Sequence, residues 1–271
     1  MAWTQKALST AAGKVPYLDG GDPGSAHVIV LVHAFPVGMR MWERVAIPQG
    51  WRGIAPALPG FDGVEPLATE SQVIDDYARA MLDVMDELRI DNAVAGGVSM
   101  GGYVAFALWR LARLRWRGLV LADTRAGADN EQGRAGRNKM LDLVKREGSR
   151  GIADEMVPKL LGETTRSSQP DLVADVRRLI ERQTSEGIAG AIVRLRDRPD
   201  STPLLREIGV PTLVVVGDED VVTPPAESEQ MAAQLEDARL VHVPGAGHLA
   251  CMEKPEAFNA ALASFLSAIR G

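Results

Sequence analysis

The strongest constraint on what this chain can fold into is a series of short, nearly unbroken apolar runs separated by stretches of helical periodicity. Val28-Ile29-Val30-Leu31-Val32 has no polar side chain at any position, so a strand formed there must be covered on both faces. Ala93-Val94-Ala95, Leu119-Val120-Leu121 and Thr212-Leu213-Val214-Val215-Val216 repeat the pattern. Leu240-Val241-His242-Val243 supplies a final strand, and Ile54-Ala55-Pro56-Ala57 a weaker one that closes at its proline. Between them, Ser71 to Leu88 sets Val73, Ile74, Tyr77, Met81, Val84 and Met85 at helical spacing. Met100 to Leu114 and Pro255 to Ile269 read as two further helices. Such alternation predicts an α/β fold with a mostly parallel central sheet flanked by helices. Residues before Val28 read as an N-terminal hairpin with Leu18-Asp19-Gly20-Gly21 in its exit turn.

The alternation breaks once. From about Ala126 to Ile208 no strand-like run occurs, only helical patterns over Lys139 to Arg146, Ile152 to Leu161, Asp171 to Arg182 and Ile188 to Arg196. The expected organisation is therefore a core of residues 1–125 and 209–271 with a helical cap of residues 126–208, inserted before the last two strands. A helical insertion between parallel strands is most simply a lid over the C-terminal edge of the sheet, where open α/β sheets bind ligands.

Composition narrows the partners. The formal net charge is −6 over 271 residues, with 46% hydrophobic and 24% charged positions. That balance argues against nucleic acid, which demands clustered Lys and Arg. The local exception, Arg110, Arg113, Arg115 and Arg117, reads as the solvated end of a helix and the turn after it. No stretch approaches the roughly 20 apolar residues of a membrane span, and Met1 to Lys6 lacks the pattern of a signal peptide. The lone Cys251 cannot form an internal disulfide, so the expectation is a cytoplasmic protein, monomer or homodimer, without membrane contact. Four scattered histidines and one cysteine offer no metal-ligand spacing, and no glycine loop fits a phosphate or dinucleotide. No cofactor is expected.

Gly97-Val98-Ser99-Met100-Gly101-Gly102 leaves a predicted strand and opens a predicted helix. In that setting a G-x-S-x-G run carries a mechanism: a sharp turn lifts the serine hydroxyl above the sheet edge. The N–H of Met100, at the helix N-terminus, then points toward an oxyanion formed at Ser99. A serine needs a base to take its proton. His27 leads into the first buried strand, and His242 lies within the last one. His248 follows the last strand in Pro244-Gly245-Ala246-Gly247-His248, a loop that emerges at the same edge as Ser99. His248 is therefore the candidate base. The acid that orients it must sit in another loop at that edge. Asp220, in Gly217-Asp218-Glu219-Asp220, satisfies the order serine, acid, histidine, and Asp123 is the substitute. His33-Ala34-Phe35-Pro36 follows the first central strand, which makes the N–H of Phe35 the second oxyanion donor and His33 a residue that holds the loop.

Together these residues resemble the α/β-hydrolase superfamily across nearly the whole chain. Val98-Ser99-Met100-Gly101-Gly102-Tyr103, Ala122-Asp123-Thr124-Arg125-Ala126, and Gly217-Asp218-Glu219-Asp220 leading to Thr223-Pro224-Pro225 are similar to bacterial carboxylesterases close to the 3-oxoadipate enol-lactonases. The resemblance implies catalytic Ser99, Asp220 and His248, oxyanion donors at Phe35 and Met100, and a helical cap. Two departures stand out. His33-Ala34 replaces the usual His-Gly, and Pro56 to Gly63 lacks the Asp and Arg that many relatives carry.

The leading expectation is hydrolysis of small carboxylic esters through an acyl-enzyme, a small-molecule ester being the partner. Peroxide in place of water would give a perhydrolase side activity. An enol-lactonase would use the same residues plus a cation for the substrate carboxylate, with Arg125, Arg134, Arg137, Arg194 and Arg196 as candidates. A dehalogenase or epoxide hydrolase would need a carboxylate at position 99. A non-catalytic small-molecule receptor on the same fold is the alternative from a different class. The apolar cap residues Met140, Leu143, Met156, Val157, Leu160 and Leu161 read as the cap's own core, and the substrate-binding residues are not assigned.

Overall fold

A computed structural model describes residues 3–10, 13–67 and 72–270. Eight strands form one sheet: β1 (Thr4–Thr10), β2 (Gly13–Gly21), β3 (Val28–Val32), β4 (Arg52–Pro56), β5 (Ala93–Val98), β6 (Trp116–Ala122), β7 (Thr212–Gly217) and β8 (Ala238–Val243). Their order is β1-β2-β4-β3-β5-β6-β7-β8. The first two pairings are antiparallel and the remaining five parallel. Every residue of β3, β5 and β7 is buried, as their unbroken apolar or small composition requires. The edge strand β8 is only partly covered, with Arg239 and His242 exposed.

Helices cover both faces: α1 (Ile74–Glu87), α2 (Met100–Ala112), α3 (Glu131–Leu160), α4 (Glu163–Ser168), α5 (Pro170–Glu181), α6 (Ser185–Arg196), α7 (Pro225–Ala232), α8 (Ala250–Glu253) and α9 (Pro255–Arg270). The two patterns expected over Lys139 to Arg146 and Ile152 to Leu161 belong to α3, which breaks at Gly148 (φ 66°, ψ −158°). Ser71, the expected first residue of the α1 helix, lies outside the described residues. Among the described residues, no helix is long and apolar enough to cross a membrane.

The N-terminal hairpin exists, but Leu18–Gly21 is not its exit turn. Those residues continue β2 and pair with Gly53–Ala55 and Arg52 of β4. The glycine pair serves close packing instead. A Cβ at Gly20 would meet the Trp3 ring at 2.7 Å, and one at Gly21 the Trp51 carbonyl at 2.2 Å. The chain turns later, where Ser25 N–H bonds Asp22 O. Arg110 lies at the end of α2 and Arg113 and Arg115 in the turn after it, as expected, whereas Arg117 belongs to β6; Arg110 pairs with Asp75 and Arg115 with Asp86.

Strand order reverses between β3 and β5: β4 flanks β3 on one side, and β5 flanks it on the other. Loops leaving those two strands diverge, opening a crevice at the C-terminal edge of the sheet. Residues after β3 begin with His33, and the residue after β5 is Ser99.

Candidate active site

Ser99 sits between β5 and α2 with φ 55° and ψ −112°, a conformation that costs a non-glycine residue about 1–3 kcal/mol. Surrounding bonds impose it. Ser99 N–H donates to Ala122 O at 2.9 Å, and Ser99 O accepts from Gly102 N–H at 2.9 Å and from the Thr124 hydroxyl at 2.9 Å. The turn also needs glycine on both sides. A Cβ on Gly97 would lie 2.1 Å from the Gly101 carbonyl carbon, and one on Gly101 would lie 2.1 Å from Val32 O.

Above this turn stands His248, whose Nε2 is 2.7 Å from Ser99 Oγ. Its Nδ1 is 2.8 Å from Asp220 Oδ2, and all three side chains are buried, with Ser99 at 8% exposure. Asp220 is aimed by its own loop. Its Oδ1 accepts from Val222 N–H at 2.8 Å and Thr223 N–H at 3.0 Å, and its Oδ2 from the Thr223 hydroxyl at 2.7 Å. Burial alone would raise the Asp220 carboxyl, but His248 and the Thr223 donors outweigh it and hold it below the usual range. Burial likewise pulls the His248 imidazole down, while the Asp220 charge and hydrogen bond carry it above the ordinary value of 6.5.

Asp123 takes a different part. Its backbone has φ 45°, and its two oxygens accept from Gly217 N–H at 2.9 Å and Ala250 N–H at 3.1 Å. It thus ties the tip of β7 to α8 rather than bonding His248. Burial, then the nearby Asp220 charge, push its carboxyl up to about 8.

His33 is fully buried. Its Nδ1 lies 3.1 Å from Ala34 O, and its Nε2 accepts from Leu58 N–H at 3.2 Å. Both nitrogens are engaged in neutral bonds, and burial keeps the ring below the usual histidine range. Ala34, in place of the glycine, is not among the non-glycine residues with positive φ, so its Cβ imposes no backbone strain. Phe35 begins the turn that follows. Met100 is the first residue of α2, so its N–H lacks an intrahelical acceptor. His242 is half-exposed and pairs with Asp218 at 2.8 Å. His27 stacks against Trp51.

Two groups carry weight that no local sequence pattern announces. Glu253 is 2% exposed. It accepts from Gly247 N–H at 2.9 Å, Leu249 N–H at 3.1 Å and Gly162 N–H at 2.9 Å, bracketing His248. The His248 N–H itself donates to Leu160 O at 3.0 Å. The second group is Asp129, whose buried carboxylate pairs with Arg125, Arg137 and Arg198. Arg198 also lies over the Tyr103 ring at 4.2 Å.

The five candidate arginines divide. Arg194 is buried against Asp76 and Tyr77, and Arg196 pairs with Asp197 and Asn138. Arg134 donates to the Asp129 carbonyl. Arg125 and Arg137 line a cleft of about 450 Å³ together with Met140 and Leu143. Those last two are only partly buried, whereas Met156, Val157, Leu160 and Leu161 are core.

The chain is similar to known proteins along nearly its whole length. A thermophilic esterase from Thermogutta terrifontis, in a malate-bound structure, matches with a TM-score of 0.90 and 34% identity, covering 99% of this chain and 100% of that one. The 3-oxoadipate enol-lactonase 1 of Acinetobacter baylyi is 25% identical over 97% of each chain. An enol-lactonase from Burkholderia xenovorans LB400 shares the fold, with a TM-score of 0.88 at 24% identity over 97% of this chain and 100% of that one. The family described as alpha/beta hydrolase fold matches residues 27–255. That stretch runs from the residue before β3 to the first residue of α9, beyond His248, and the chain belongs to the alpha/beta hydrolase fold family.

Proposed function

We propose that this protein is a serine carboxylesterase acting on small carboxylic esters. The observation that carries the reading is the unbroken chain Ser99 Oγ, His248, Asp220, with 2.7 and 2.8 Å links, at a strained turn over the sheet edge. His248 Nε2 takes the Ser99 proton as Oγ attacks the ester carbonyl. Asp220 fixes the tautomer with its proton on Nδ1 and stabilises the imidazolium. The Phe35 and Met100 N–H groups receive the oxyanion, each worth about 2.7–4 kcal/mol in comparable sites. His248 returns the proton to the leaving alcohol, and water attacks the acyl-enzyme by the same route in reverse. In this reading helices α3 to α6 form the cap, and the acyl group lies beneath it.

The test is hydrolysis of 4-nitrophenyl esters of graded acyl length by the wild type and by Ser99→Ala. Activity on short chains that vanishes in the variant supports the reading. Labelling by a fluorophosphonate should be lost in both Ser99→Ala and His248→Ala. An inactive but folded wild type would sink it. A lactonase acting on an enol-lactone is the second reading, favoured by the full-length similarity to the Acinetobacter enzyme. It predicts a higher kcat/KM for a carboxylate-bearing lactone than for any neutral ester.

A further inference from the structure

The helical insertion meets the core at a second place besides the loops around His248, namely the loop that carries the Phe35 N–H. That loop leaves β3 at His33, and few backbone bonds hold it. Val37 N–H donates to Ala34 O at 3.2 Å, Met41 N–H to Gly38 O at 3.4 Å, and Ala34 N–H to Met41 Sδ at 3.1 Å. Its far end is fixed from two other segments. Asp62, in the loop after β4, accepts the Met39 N–H on Oδ2 at 2.7 Å. Gln183, between α5 and α6, in turn accepts the Asp62 N–H at 2.9 Å. The Gln183 side chain is 4% exposed and aimed by its own helix, with Nε2 donating to Leu179 O at 2.9 Å. The same Nε2 makes a longer contact of 3.5 Å with Val37 O. Two short bonds thus run from the insertion, through Asp62, to the loop beside the serine.

The junction is tight on every side. A Cβ on Gly38 would lie 2.4 Å from Asp62 Oδ2 and 2.9 Å from Gln183 Nε2. A Cβ on Gly187 would lie 1.8 Å from Gly60 O, so the first turn of α6 touches the loop after β4 backbone to backbone. Asp62 adopts φ 49°, and its Oδ1 is buried with no hydrogen bond among the described residues. A left-handed backbone and an unbonded buried oxygen both cost stability. Here they accompany a carboxylate whose other oxygen holds Met39. Pro36 fixes its own φ, which stiffens the short link from Met39 back to Phe35.

We infer that Asp62 and Gln183 are positioning residues of the oxyanion site. Seating the cap sets Gln183 on Asp62, Asp62 holds the Met39 N–H, and the loop then presents the Phe35 N–H to the oxyanion. The inference rests on the esterase reading and adds that its oxyanion site is complete only with the cap seated.

The test measures kcat and KM for a short 4-nitrophenyl ester beside the Ki of a trifluoromethyl alkyl ketone. Ser99 Oγ adds to the ketone carbon, its proton passes to His248 Nε2, and the carbonyl π pair becomes an oxyanion. The Ki therefore reads the oxyanion donors without a leaving group. Asp62→Gly removes the carboxylate and suits φ 49°. It should lower kcat and raise Ki about tenfold each, short of the roughly 10²-fold of a 1 Å misplacement. KM should change little, the pattern of an interaction made only in the transition state. Asp62→Asn keeps an oxygen for the Met39 N–H and should recover most of the loss. Gln183→Leu, in the cap, should reproduce the Asp62→Gly effect. The double variant should be no worse than either single one, because both act through one link. A merely structural role lowers Tm alone. Unchanged kcat and Ki in Asp62→Gly and Gln183→Leu, no recovery in Asp62→Asn, or fully multiplicative losses in the double variant overturn the inference. If the wild type turns over no ester, the esterase reading fails on its own, and amide exchange decides. Faster exchange at residues 37–39 in Gln183→Leu supports the coupling of cap to loop; unchanged exchange overturns it.

Discussion

Replacing Glu253 by Gln tests whether one buried side chain holds the histidine loop. The wild-type carboxylate receives three N–H groups, from Gly247, Leu249 and Gly162. Glutamine has the same shape but one oxygen. Keeping that oxygen on Gly247 and Leu249 turns the NH2 toward the Gly162 N–H, two donors face to face. One bond to a charged acceptor is lost, about 1.5–3 kcal/mol. The two that survive become neutral and lose about half their strength, roughly another 1 kcal/mol. The sum, about 2.5–4 kcal/mol, corresponds to a Tm lower by roughly 5–16 °C in a chain of this size. Calorimetry measures that directly. Because residues on both sides of His248 loosen while its N–H stays on Leu160 O, kcat for a short ester should fall about tenfold with KM little changed. A Tm within about 2 °C of wild type, together with an unchanged kcat, would refute the assignment.

Asp220→Asn should lower kcat about 10⁴-fold and move the acidic limb of kcat/KM. On the proposed mechanism His248 acts as the neutral base, so activity falls as pH drops through its pKa. Asp220 holds that pKa above 6.5 against the pull of burial, so the wild-type limb lies above 6.5 and the variant limb shifts down; an unmoved limb contradicts the pairing. Gly101→Ala places a Cβ 2.1 Å from Val32 O and should cost about 3 kcal/mol or more, read as a depressed urea midpoint. Asp123→Asn concerns a carboxyl raised from 3.8 to about 8 in the folded state. The wild type therefore loses stability as pH rises between those values. The non-titrating variant does not, so the Tm difference should move in the variant's favour from pH 4 to pH 8.

The parts of this fold legible in the sequence are those fixed by local pattern. β3 and β7 announce themselves because an unbroken apolar run leaves no face for water, and Ser99 because a strand, a glycine-flanked turn and a helix follow in order. The two aspartates show the limit. Asp123 and Asp220 both follow strand ends and are both buried. What separates them is the direction of the side chain. Asp220 is turned to His248 by its own Val222 and Thr223 N–H groups, and Asp123 is anchored to Gly217 and Ala250, far along the chain. Glu253 and the cluster on Asp129 are not legible because each ties near neighbours in sequence to one partner far along the chain, Gly162 and Arg198 respectively. Gly20-Gly21 misleads because close packing and turning ask for the same residue. Met140 and Leu143 have the spacing of core residues, and periodicity cannot tell a lid's interior from the wall of a cleft.

The break in α3 at Gly148 divides the insertion into two parts with different contacts. Beyond it, the chain is bonded to both loops that carry the site: Leu160 O accepts from His248 N–H, Gly162 N–H donates to Glu253, and Thr164 N–H donates to Glu219 at 2.9 Å. Glu219 directly precedes Asp220, so this segment supports base and acid together. The cleft of about 450 Å³ is lined from both sides of the break, by Arg137, Lys139, Met140 and Leu143 before it and by Glu155 and Lys159 beyond it. Changes at 160–164 strain the loop that aims the imidazole and should act on kcat. A glycine at the junction lets the backbone adopt φ 66°, so the segment that bonds the loops around His248 and Asp220 can leave the direction of the helix before it.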